Sequence, residues 1–66
     1  MKFKELDIVK LKNDDDKRNV KSNFFGVIVD VQANGQAINI EFVNEAGYTV
    51  LEALDHYYSP NELIKQ

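Results

Sequence analysis

The dipeptide Asn34-Gly35 constrains this chain more than any other feature. Asn followed by Gly most readily supplies the two consecutive left-handed residues of a type I′ hairpin turn. On either side stand β-branched and aromatic runs, Phe24 to Gln32 and Gln36 to Val43, long enough and alternating enough for strands. With Ala33 and Gln36 flanking the turn, Val31 is expected to face Ile38, Val29 to face Ile40, and Val27 to face Phe42. The opposite face then pairs Asp30 with Asn39 and Ile28 with Glu41. The register set by the turn therefore agrees with the register that a buried apolar face demands.

The neighbouring segments extend this hairpin into a sheet. Leu6 to Lys12 reads as a first strand, with Val9 and Leu11 on one side and Ile8 on the other. Asn13 to Asn23 is polar, contains Asp14-Asp15-Asp16-Lys17-Arg18, and has Val20 as its only aliphatic residue, so it reads as a long loop with no core of its own. After Val43, Asn44-Glu45-Ala46-Gly47 has Asn and Gly where a type I turn and the left-handed residue after it place them. Tyr48 to Leu54 is expected to return as a further strand, with a helix over Leu51 to Tyr58 as the alternative. Ser59-Pro60-Asn61-Glu62 has the signature of a helix start: Ser as N-cap, Pro at the first position and Glu closing a capping box. So few residues follow that one turn and a short closing strand are all that fit. At 66 residues this is a single domain spanning 1–66, and the order of elements predicts an all-β, SH3-like barrel of about five strands with one short helical turn near the C-terminus.

These residues also carry a resemblance. Asp7-x-Val9-x-Leu11, a long loop, Gly26-Val27-Ile28-Val29-Asp30-Val31, then Glu41-Phe42-Val43 and Gly47-Tyr48-Thr49 resemble, over nearly the whole chain, a family of small bacterial SH3-like domains of unknown function, the one numbered 4926. That family usually closes its long loop with Gly-Asp, where Ser22-Asn23-Phe24-Phe25 stands here. Its members look like accessory proteins encoded beside predicted toxin genes. The resemblance thus implies an immunity or antitoxin role.

The inventory for catalysis is thin: one histidine, two serines and no cysteine, so neither a disulfide framework nor a thiolate metal site is available. His56 stands alone. Asp14-Asp15-Asp16 lacks the spacing and the distal bidentate glutamate of a calcium loop and reads as a solvated acidic segment. No metal, cofactor or catalytic group is expected. No apolar run approaches the ~20 residues of a membrane span, and Met1-Lys2-Phe3-Lys4 runs at once into Glu5 and Asp7 instead of a signal-peptide core; the expectation is a cytoplasmic protein.

Charge placement is the strongest pointer to a partner. Lys2, Lys4, Lys10, Lys12, Lys17, Arg18 and Lys21 fall in the first third of the chain, and from Ser22 to Ile64 there is neither lysine nor arginine. That stretch carries Asp30, Glu41, Glu45, Glu52, Asp55 and Glu62, which repels phosphate and suits a basic protein such as a toxin or nuclease. The candidate partner-binding residues are Phe24, Asp30, Glu41, Glu52, Tyr57 and Tyr58. Phe25 shares the phase of Val27, Val29 and Val31 and belongs inside. Phe24 is then left outside, either covering a barrel end or offering a ring to a partner. The rival reading is a nucleic-acid binder of the KOW kind using Lys10, Lys12, Lys17, Arg18 and Lys21. Self-association is a separate outcome that exposed aromatics allow.

Overall fold

The computed structural model describes residues 3–66; Met1 and Lys2, the latter counted among the cations above, lie outside the described residues. Five strands follow in chain order, β1 (Ile8–Leu11), β2 (Phe25–Gln32), β3 (Ala37–Val43), β4 (Tyr57–Tyr58) and β5 (Leu63–Lys65). They form one antiparallel sheet in the order β4-β3-β2-β1-β5; the all-β, five-stranded SH3-like architecture is the expected one, and the sheet curls into a half-barrel. Among the described residues helical structure is confined to short 3-10 turns, and no helix is long and apolar enough to cross a membrane.

The hairpin forms around Asn34-Gly35 as expected. Gln36 N–H donates to the Ala33 carbonyl at 3.1 Å, and Asn34 (φ 57°) and Gly35 (φ 91°) supply the two positive φ angles of the type I′ turn. Nearest the turn the register is the expected one, with Val31 opposite Ile38 and Asp30 opposite Asn39. It then shifts by one residue. Val29 is an extra residue in β2, so that Ile28 faces Ile40, Val27 faces Glu41, Gly26 faces Phe42 and Phe25 faces Val43. This β-bulge reverses the expected faces before it. Ile28 is fully buried and Phe24 joins the core, whereas Phe25 and Val29 are exposed; the pairings Val29 to Ile40 and Val27 to Phe42 do not form.

Space over the partner strand accompanies this phase. Gly26, between the buried Phe24 and Ile28, leaves room for the side chains of β3. A Cβ at Gly26 would stand 2.5 Å from Cγ2 of Ile40 and 2.7 Å from Cδ1 of Phe42. The larger side chains of β3 thus occupy the space over the glycine, and the bulge reconciles this inner phase with the hairpin tip.

Two further expectations are corrected. Tyr48 to Leu54 is not a strand: only Thr49 bridges to Val43, and Leu51–Ala53 is a 3-10 turn. Val50 and Ala53, three residues apart, are the buried members, which is the spacing of that turn and not of a strand. The helix alternative over Leu51 to Tyr58 ends after this turn, because Asn39 Nδ2 donates to the carbonyls of Leu54 at 2.8 Å and His56 at 2.9 Å. These bonds draw the following residues into β4 beside Ile38 and Asn39. The loop 13–23 has no core of its own, as expected: Val20 is fully buried in the main core, and a bridge between Asp15 and Val20 closes the loop on itself.

The remaining turns follow their residue types. Asn44 Oδ1 accepts N–H bonds from Ala46 and Tyr48, both at 3.0 Å, and Gly47 takes φ +91°. Ser59, Pro60 and Glu62 form the expected capping box on a 3-10 turn over Pro60–Glu62, and β5 leaves it to pair with β1. The core gathers Val9 and Leu11 of β1, Ile38, Ile40 and Phe42 of β3, and Leu63 of β5 around Tyr58.

Candidate functional site

The long loop and the Pro60–Glu62 turn face each other across a cleft of about 410 Å³ with Leu11 at its base. Its polar walls are Asp14, Asp15 and Arg18 from the loop and His56, Asn61 and Glu62 from the other side. Three carboxylates stand there against one guanidinium.

Each carboxylate is held by a hydrogen bond that fixes its direction. Asp15 Oδ2 accepts the Tyr58 hydroxyl at 2.7 Å, and Arg18 Nη1 donates to both oxygens of Asp15 at 3.3 and 3.4 Å. Asp14 Oδ1 accepts the Ser22 backbone N–H at 2.7 Å. Glu62 Oε2 accepts the Ser59 N–H and hydroxyl, both at 2.9 Å. The His56 ring packs edge-on against Tyr58, with centroids 4.4 Å apart. Partial desolvation pushes the Asp15 carboxyl up, but the Tyr58 hydroxyl and Arg18 outweigh it and hold it below the usual range. The Ser22 N–H likewise lowers Asp14. Burial, reinforced by Asp15, raises the Tyr58 phenol far above its ordinary value, so it stays protonated and is no base near neutral pH.

The candidate residues are scattered by the fold. Tyr58 is buried and Phe24 nearly so, the latter reaching the surface only at the edge of shallow cavities. Asp30 and Tyr57 meet on the outer face of the sheet, where the Tyr57 hydroxyl donates to Asp30 Oδ2 at 2.7 Å. A hydrogen bond from Gln32, followed by the one from Tyr57, lowers the Asp30 carboxyl, and Asp30 in turn raises the Tyr57 phenol. Glu41 stands two strands from the Lys10 side of the sheet, opposite Val27. Glu52 lines a separate cavity of about 240 Å³ with Leu51 and Asn44.

The cleft itself escaped the sequence reading, which took Asp14 to Asp16 together as a solvated segment. Two signals distinguish Asp15: Arg18 three residues later, and Val20, an aliphatic residue that must seek the core. Among the described residues no group of histidines and carboxylates is arranged to hold a metal ion.

The chain matches no family model, no curated protein and no solved structure.

The ion pairs bear directly on partner class. Those seen among the described residues join Lys4 and Lys65 to Asp7, Arg18 to Asp15, and Lys21 to Asp14 and Asp16. Arg18 and Lys21, two cations of the rival nucleic-acid surface, thus lie against carboxylates of their own loop. None of the carboxylates from Asp30 to Glu62 takes part in these pairs.

Proposed function

We propose that this chain is a non-catalytic protein-binding module for a basic partner, which it engages through the cleft between the long loop and the Pro60–Glu62 turn. The observation that carries this reading is the fixed set of Asp14, Asp15 and Glu62 around one opening. Carboxylates already oriented by Ser22, Tyr58 and Ser59 lose little freedom when a lysine or arginine side chain enters, which favours association. The run of carboxylates beyond residue 22 adds a long-range field of the same sign, which raises the association rate with a basic surface. The immunity or antitoxin role implied by the family resemblance is the biological setting we infer, with a basic toxin or nuclease as the partner.

The test is affinity capture from an extract of the producing cell, using the immobilised chain and its D14N/E62Q variant. Both substitutions keep an accepting oxygen for Ser22 and Ser59 while removing charge. A basic protein retained by the wild type and lost from the variant, with circular dichroism unchanged, is the expected result. Equal retention by both would remove the cleft from the mechanism. Capture of structured RNA, weakening steeply with salt, would replace the reading altogether.

A further inference from the structure

We infer that the outer face of the sheet is a two-fold interface between two copies of this chain. The face is built from two rows of side chains that cross the strands. One row runs Ile64, Lys10, Phe25, Val43 and the other Ile8, Val27, Glu41, following the pairing of β5 with β1, β1 with β2, and β2 with β3. Lys10 and Phe25 are neighbours in space as well as in register, the Lys10 ammonium lying 4.3 Å from the centre of the Phe25 ring.

Ile8, Phe25 and Ile64 are 40%, 54% and 48% exposed, and Val27 and Val43 between them are half-buried. Single exposed aliphatics are ordinary, but an apolar patch continuous over four strands marks an interaction surface. The bulge at Val29 creates it, because it turns Phe25 outward.

Charge selects the occupant. The two rows hold one charge of each sign, Lys10 on β1 and Glu41 on β3, on opposite sides of β2. A uniformly basic partner would meet Lys10. A second copy laid face to face, about an in-plane two-fold axis crossing β2 between Phe25 and Val27, brings each Lys10 over the Glu41 of its mate. The apolar residues lie between the two resulting ion pairs, as in an isologous interface that desolvates its centre. The cleft at the long loop is a different surface, so this inference is independent of the function proposed above.

Sedimentation equilibrium of the full chain from micromolar to millimolar concentration tests it. The wild type should show a monomer–dimer equilibrium, and K10E, E41K and F25S should each weaken it by about tenfold or more, the range of a lost and then reversed contact pair. The double variant K10E/E41K restores opposite signs and should recover dimerisation, which a merely structural role of Lys10 would not produce. Circular dichroism of each variant checks the fold. A wild type that stays monomeric throughout overturns the inference, as does a dimer that K10E and F25S leave unchanged. A different protein found seated on this face of a monomeric chain overturns it too.

Discussion

The hydroxyl of Tyr58 donates to Oδ2 of Asp15 at 2.7 Å across 43 positions of sequence, tying β4 to the long loop beneath the cleft. Tyr58 is also packed edge-on against Phe42, with ring centroids 5.7 Å apart. One side chain therefore serves core and cleft together.

Y58F keeps the ring packing and deletes that bond, leaving a partly desolvated carboxylate with only Arg18 to satisfy it. A loss of about 1–2 kcal/mol in urea denaturation is expected, the cost of removing one partner of a part-buried charged hydrogen bond. In a domain of this size that lowers Tm by roughly 4–8 °C per kcal/mol.

Stability should fall at both ends of the pH range. Asp7, Asp14, Asp15 and Asp30 are all held below their ordinary 3.8. Their contribution is complete above that value and is lost as pH drops through the lower folded values. Tyr57 and Tyr58 are raised above 10.0, so their contribution is complete below 10.0 and disappears as pH climbs beyond it. Tm measured against pH should be flat through neutrality, with D15N shallowing the acid limb and Y58F the alkaline one.

Gly26 and Gly47 should respond to alanine for different reasons. G26A forces a methyl against Ile40 and Phe42 and should cost about 1–3 kcal/mol by overpacking. At Gly47 nothing lies within 4 Å, and only the positive φ of +91° resists substitution, giving a loss of roughly 1 kcal/mol. Chemical denaturation of the two variants separates sterics from backbone strain.

The bulge predicts opposite outcomes for adjacent residues. I28A should lose about 2–5 kcal/mol as a core truncation, while V29A should stay within about 0.5 kcal/mol as a surface change. Equal losses would contradict the shifted register.

Turn chemistry was the most legible part of this fold. Asn34-Gly35, Asn44 with Gly47, and Ser59-Pro60 with Glu62 each act on backbone within a few residues of themselves, so local residue type decides the outcome. The faces of β2 were illegible for the complementary reason. Residues 25, 27, 29 and 31 alternate as cleanly as any strand, and nothing within β2 reveals that Phe42 and Ile40 of another strand need the space over Gly26. The segment after Gly47 was misread because the buried pair Val50 and Ala53 fits a 3-10 turn only once Asn39 has secured the carbonyls beyond it. The cleft depends on Tyr58 reaching Asp15, a long-range bond between residues that separately look like an aromatic pair and an acidic run.

The extra residue at Val29 divides β2 into two stretches whose orientations are set separately. Taking Val29 into the ladder would roll Phe25 and Val27 inward and turn Phe24 and Ile28 out, whereas deleting it would leave Ile28 opposite Ile40 and Phe25 opposite Val43, with the same ring meeting water. A chain shortened by that one residue should therefore lose the local kink of β2 while keeping both this surface and the turn at Asn34-Gly35.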